Sequence, residues 1–362
     1  MIGQYLILLR RTNWFLTGTV FALLAIGLVT LASIAPELFA KQLLWAAISL
    51  CVLFLTPLIV SSHAFHYRST SLGVYALSIA LLVFVRFVGV TVNGARSWID
   101  LGSFQFQPSE FAKVALILIL ALFLSRRHAF IRRLEVIGGS FAYFALPAIL
   151  VMAEPDLGSA LILFGIWFSF LLVAELPLRA VVSALALFVV VGAVFWQVGL
   201  KPYHKERILG LFDESRDALG VNYNAMQSKI AVGSAGLFGK GFGQGSLTHL
   251  GFLPSASTDF IFSAFVEEWG SVGGSVLIIA FMGFVTAIAL IGMRAERNTE
   301  KFICLGAVAL FLIQFAINIG SAVGLLPVIG VTLPFVSYGG SNLLISGLLV
   351  GIIQSIVART VA

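Results

Sequence analysis

Long apolar runs separated by short polar breaks make up most of this chain, and the length of each run is the informative signal. A helix needs roughly 20 apolar residues to cross a bilayer core. About ten runs qualify: Trp14–Ser33, Leu43–Val60, Leu72–Val88, Pro108–Leu124, Val136–Ala153, Gly158–Ala174, Leu178–Val198, Phe260–Gly292, Phe302–Leu326 and Ser341–Val357. The eighth is long enough to tilt or to extend past the bilayer. Only one connection is long, from Gly199 to Asp259, and loops of that length are usually functional or disordered. Its first half is charged (Lys205, Glu206, Arg207, Asp213, Glu214, Arg216, Asp217) and its second half is rich in glycine. An amphipathic piece at Asn224–Val232 is expected on the membrane surface. The predicted fold is an all-α integral membrane bundle of about ten transmembrane helices. It forms a single domain over residues 1–362, with one long extracytoplasmic loop at 199–259.

Composition sharpens this. Hydrophobic residues are 60% of the chain and charged residues 10%, against roughly 25% charged in soluble domains. The formal charge of +6 does not point to nucleic acid, because the basic residues sit between apolar runs and form no stripe. They suit an anionic membrane surface or a phosphate-bearing lipid. Cys51 and Cys304 fall inside apolar runs and read as packing residues. The first run is too long for a signal-peptide core and reads as a retained helix.

Lys and Arg set the orientation. With a cytoplasmic N-terminus, inside segments hold Arg10, Arg11, Arg68, Arg126, Arg127, Arg132, Arg133, Arg179, Arg294, Arg297, Lys301 and Arg359, while the short outside loops hold only Lys41 and Arg96. Both termini are then cytoplasmic and the long loop is extracytoplasmic.

That topology gathers three polar clusters at the outer face. One runs from Asn93 through Arg96, Ser97 and Trp98 to Gln107, Pro108, Ser109, Glu110 and Lys113. Proline suits a first helical turn, so the fourth span should start near Pro108 with Glu110 and Lys113 as i,i+3 neighbours. The second is Glu154-Pro155-Asp156-Leu157-Gly158, and the third runs from Leu253 through Ser255, Ser257, Thr258 and Asp259 to Phe262. Ionisable groups at membrane helices are costly and mark functional candidates. The bland alternatives are that Glu110, Lys113 and Asp156 only neutralise one another, and that Asp259 only caps a helix with Ser257 and Thr258. Glu267 and Glu268 lie deeper in the eighth span, with Gln314, Asn318 and Ser321 as candidate partners, and Arg86 calls for a partner of its own. The five histidines show no metal-ligand spacing, and neither a dinucleotide-binding nor a P-loop pattern occurs.

Together Asn93–Trp98, Gln107–Lys113, Glu154–Gly158, Leu237–Gly241, Thr258–Phe262 and Pro334–Ser341 resemble, in order, the motifs of the SEDS family of shape, elongation, division and sporulation proteins. Tyr223–Ser228 and Phe238–Gly241 look like its rod-elongation (RodA) branch more than its division branch. The resemblance implies a peptidoglycan glycosyltransferase that polymerises lipid II into glycan strands. It would work with a class B penicillin-binding protein and other elongation-complex proteins in the bacterial cytoplasmic membrane. It carries the family's essential aspartate onto Asp259, and its buried charged residues onto Glu110, Lys113 and Asp156. Arg96, Trp98, Gln107, Ser109, Gln227, Ser228, Lys240, Thr258 and Ser341 are further candidates for holding substrate. Ser255 and Ser257 stand where the family usually has an acidic residue and a histidine. A divalent cation (magnesium or manganese) is one source of charge for a departing pyrophosphate, beside Lys113 and Arg96.

A lipid flippase or transporter is the main rival, because helices with buried charges also suit alternating access. Matched interruptions in two halves of the chain are not evident, and the polar groups concentrate at one face rather than at the midplane. A scaffold that only recruits a transpeptidase is the second rival, and a channel is the third.

Overall fold

A computed structural model of the chain describes residues 11–59, 67–92, 95–102, 104–127, 133–173, 182, 185–186, 189, 192, 196–197, 202–211, 213 and 222–360. Apolar run length translates directly into helices: α1 (Trp14–Ile34), α2 (Pro36–Ile59), α3 (Arg68–Val88), α4 (Pro108–Ser125), α5 (Leu134–Ala153) and α6 (Leu157–Val173). After the long connection come α10 (Ile261–Arg294), α11 (Asn298–Ala322) and α12 (Gly340–Thr360). Eight of these are long and apolar enough to cross a membrane, and the 17-residue α6 is a shorter apolar helix. The chain is a multi-pass helical membrane protein. The seventh expected span, Leu178–Val198, lies mostly outside the described residues.

Three details differ from the expectation. A single residue, Ala35, separates α1 from α2, so Lys41 lies within a helix and not in a loop. Between α3 and α4 the chain forms a small antiparallel sheet, β1 (Val90–Val92), β2 (Ala95–Asp100) and β3 (Gln105–Phe106), in that order. The helical membrane bundle thus carries a small β-cap between α3 and α4. Finally, the long connection contains three short helices, α7 (Pro202–Leu209), α8 (Tyr223–Ser234) and α9 (Ser246–His249). The amphipathic piece expected to lie on the surface is α8. It packs on α10 and α11 and buries Ser228 and Ala231.

Helix α4 is the hub. Its span is 83% buried and it packs against α3, α5, α6, α11 and α12. Helix α12, 78% buried, lies along α2. Gly347 and Gly351, four residues apart, permit this: a Cβ on Gly347 would stand 2.3 Å from Ser49 Oγ, and one on Gly351 would stand 2.7 Å from Thr56 Cβ. Small residues at this spacing let backbones approach where lipid offers no hydrophobic drive between helices.

Candidate functional site

The N-terminal end of α4 is built by Pro108 in its first turn and by Ser341 at the start of α12. Ser341 Oγ accepts from the Gln107 amide at 2.9 Å and donates to the Gln105 carbonyl at 3.2 Å. One turn in, Lys113 Nζ meets Glu110 Oε1 at 2.7 Å, while Asn342 Nδ2 donates to Glu110 Oε2 at 3.1 Å. The lysine side chain is only 2% exposed, so the i,i+3 spacing makes a buried, hydrogen-bonded ion pair. Glu110 is therefore the lysine's carboxylate, and Asp156 is not.

Asp156 joins two helices instead. Its Oδ1 accepts from the Ser159 amide at 2.9 Å, in the first turn of α6. Its Oδ2 accepts from Gln107 Nε2 at 3.1 Å and Ser109 Oγ at 3.2 Å. Neighbouring Glu154 is 1% exposed, and neither carboxyl oxygen has a hydrogen-bond partner among the described residues. Burial pushes its pKa up to about 8, reinforced by Asp156 and only partly offset by Arg86. Arg86 donates to the Ala153 carbonyl at 2.7 Å.

Asp259 precedes α10, whose N-cap is Phe260 with no side-chain cap. The capping role is thus not what holds this aspartate. Its main chain is fixed from outside: Asn318 Nδ2 donates to the Asp259 carbonyl at 3.0 Å and to the Val331 carbonyl at 2.8 Å. Ser337 Oγ donates to the Thr258 carbonyl at 2.6 Å, and the Tyr338 amide donates to the Ser257 carbonyl at 2.9 Å. The half-buried Asp259 carboxylate is left for other work. Burial pushes its pKa up to about 6, while the charge of Arg207 pulls the other way.

One segment touches all three clusters. Gly158, beside Asp156, packs so closely that a Cβ there would stand 2.8 Å from the Ile329 carbonyl oxygen. Val331, Ser337 and Tyr338 brace the Asp259 turn, and Ser341 and Asn342 engage Gln107 and Glu110. Residues 329–342 therefore bind together the groups that sequence topology placed at one face.

Sequence reasoning passed over Arg207 and Lys229. Arg207, on α7, donates to the Val328 carbonyl at 3.1 Å and acts electrostatically on Asp259. Both cations line an open cleft, with Asn222, Met226, Pro327 and Val328 among its other walls. The charged first half of the long loop was the available signal, but nothing in the sequence gave its approach to Asp259.

Other expected residues go elsewhere. Arg96 donates to the carbonyls of Gly89 at 2.7 Å and Phe87 at 2.8 Å, closing the end of α3. Trp98 is half-buried in β2, opposite Val90. Lys240 pairs with Glu267 Oε1 at 2.7 Å and does not stand open for a headgroup. Ser228 is a buried pin, 2.6 Å from Ser263 Oγ and 2.7 Å from the Ala322 carbonyl, while Gln227 is half-buried on the same helix. Thr258 Oγ1 turns back to the Ser255 carbonyl at 3.3 Å. Glu267 and Glu268 find their partners in the glycine-rich loop and α1, not in α11. Thr248 Oγ1 donates to Glu267 at 2.6 Å, and His249 Nε2 and Ser33 Oγ meet Glu268 Oε1. Among the described residues no three His, Cys, Asp or Glu side chains gather as a metal-ligand set.

The fold is a helical membrane bundle with Asp259 at a helix mouth under the charge of Arg207, which lines a cleft together with Lys229. A family model for FtsW, RodA and SpoVE cell cycle proteins matches residues 6–361, so the chain belongs to the FtsW/RodA/SpoVE, or SEDS, family. It is 37% identical to the peptidoglycan glycosyltransferase MrdB of Escherichia coli K12, over 80% of this chain and 78% of that one. It is 31% identical to the peptidoglycan glycosyltransferase RodA of Treponema pallidum, over 96% and 98% of the two chains. Among solved structures, a chain from work on "structural coordination of polymerization and crosslinking by a peptidoglycan synthase complex" superposes with a TM-score of 0.80 at 32% identity, covering 96% of this chain and 98% of that one. The RodA crystal structure from Thermus thermophilus superposes with a TM-score of 0.71 at 29% identity, covering 96% of each chain.

Proposed function

We propose that this protein is a peptidoglycan glycosyltransferase of cell elongation. It polymerises lipid II at the outer face of the bacterial cytoplasmic membrane, with both its termini in the cytoplasm. The relatives' names support the activity, and the binding of all three polar clusters by residues 329–342, with the Asp259 carboxylate kept out of their hydrogen bonds, supports the site.

Polymerisation joins an acceptor sugar hydroxyl to the anomeric carbon of a lipid-linked donor. In the proposed step Asp259 takes the hydroxyl proton as the new C–O bond forms. The bond to the lipid pyrophosphate breaks, its electron pair leaves with the pyrophosphate, and the anomeric carbon inverts. A pKa of about 6 leaves this carboxylate ionised near neutral pH yet basic enough to accept the proton. Arg207 and Lys229 supply positive charge for the leaving pyrophosphate in a partly desolvated cleft, where such charge counts for more than in water. Lys113, tied to Glu110, and Asp156, tied to Gln107 and Ser109, hold the helix mouths in register. A magnesium or manganese ion would add positive charge for the pyrophosphate, but among the described residues no set of carboxylates gathers to hold one.

The proposed partner is a class B penicillin-binding protein that cross-links the new strands. A solved relative from a peptidoglycan synthase complex supports such a partnership. Detergent-solubilised protein given lipid II tests the polymerase reading against a flippase, because transport has no meaning without a bilayer. Glycan strands are expected, and their absence in a preparation that still binds lipid II would overturn the assignment.

A further inference from the structure

Helix α10 is broken. Gly270 has φ 72° and ψ −174°, and a Cβ there would stand 2.2 Å from the Leu237 carbonyl oxygen and 2.4 Å from the Gly239 nitrogen. The glycine-rich turn after α8 fits into this break. Ser271 and Val272 amides donate to the Gly236 and Leu237 carbonyls at 3.0 and 3.1 Å, while Lys240 and Gly241 amides donate to the Glu267 and Glu268 carbonyls at 3.0 and 2.9 Å. The turn is thus fixed to α10 by main-chain bonds at both ends.

The break also fixes the depth of the turn. Helix α11 has 25 residues, and the same length of α10 counted outward from Arg294 ends at Gly270. At ~1.5 Å per residue that is about 37 Å. A hydrocarbon core of about 30 Å puts Gly270 in the outer headgroup zone. Beside and below it the lipid-side strip of α10 runs through Trp269 (42% exposed), Val272 (48%), Val276 (54%) and Ile279 (70%). The turn continues this strip with Leu237 (67%), Phe238 (79%) and Phe242 (54%).

We propose that the turn from Gly236 to Gly243 is a membrane anchor whose Leu237, Phe238 and Phe242 side chains insert into the outer leaflet at headgroup depth. Three large apolar side chains pinned to a rigid scaffold form the apolar side of an interfacial element. Their continuity with the lipid-facing strip of α10 commits them to lipid. The anchor would hold α8, which leads into the turn, at the membrane surface. It is independent of the enzyme reading.

The test is nitroxide accessibility in full-length protein in nanodiscs of phosphatidylethanolamine and phosphatidylglycerol, without any partner chain. Labels are placed at Leu237→Cys, Phe238→Cys and Phe242→Cys in a Cys51→Ser background, with Cys304 buried. Ile279→Cys serves as the lipid reference and exposed Asp100→Cys as the water reference. The turn labels are expected to fall between the two references, with the ratio of oxygen to nickel-chelate collisions clearly above that of Asp100 and below that of Ile279. Labels resembling Asp100, or shielded from both probes, overturn the proposal, as do labels that meet water alone and become covered only when a partner protein is added. Three independent positions keep the test open if one variant fails to fold.

Discussion

Asn318, in the last turns of α11, grips the main chain of Asp259: its Nδ2 donates to the Asp259 carbonyl at 3.0 Å and to the Val331 carbonyl at 2.8 Å. That amide thus ties the candidate base directly to the segment that binds the other polar clusters, beside the Ser337 and Tyr338 bonds to the preceding residues. Asn318→Ala removes both bonds and leaves two carbonyls to find other partners. Misplacement of about 1 Å at a reacting group costs on the order of 10²-fold. A fall of that order in kcat, with lipid II binding within a fewfold of the parent, is expected from paired polymerisation and binding assays.

The pH profile reports on Asp259 and Arg207 together. Burial raises the aspartate's pKa to about 6 and Arg207 lowers it. A general base must be ionised, so polymerisation is expected to fall as pH drops through about 6. In Arg207→Gln the lowering charge is gone, so the acid limb should move to higher pH. Maximal rate should fall as well, because that cation is the proposed source of charge for the leaving group. An unmoved limb would separate Arg207 from the base.

Glu154 gives a stability signature. Its folded pKa of about 8 lies above the ordinary value of 4.5, so the folded state binds a proton that the unfolded state has lost. Its contribution is complete below pH 4.5 and is lost by about pH 8. Glu154→Gln keeps the shape without the titration. The variant is expected to melt higher than the parent at pH 8, with the gap closing toward pH 5, in thermal unfolding of detergent-solubilised protein.

The Glu110–Lys113 pair behaves as a unit. Removing one partner leaves a buried charge uncompensated, at a cost of about 3–5 kcal/mol. Lys113→Met and Glu110→Gln singly should lose stability and activity. The double variant should recover much of the stability, as a double-mutant cycle of unfolding would show.

Apolar run length located the helices well. Pro108 and Ala153 bound α4 and α5 where the sequence reading put them, since a transmembrane helix must satisfy its own backbone. The β-cap at Val90–Phe106 was not legible, because six-residue and shorter strands carry little pattern. Asp259, Glu110, Lys113 and Asp156 were legible as costly charges near helix ends. Their partners were not: Asn342 reaches Glu110 from 232 residues away and Lys240 reaches Glu267 through a glycine-rich loop, pairings set by tertiary packing. The bonds of Arg96 to the end of α3 were likewise not legible, since a cation near a membrane face closes a helix end as readily as it binds phosphate.

The most direct measurement is glycan strand formation from lipid II by purified Asp259→Asn protein, run beside the parent, with thermal unfolding and lipid II binding measured on the same preparations. The substitution keeps the side chain's size and removes only its basicity. Strand formation lost by at least 10²-fold, with melting and binding preserved, is the expected result for a positioned general base. Strands formed at the parental rate would contradict it.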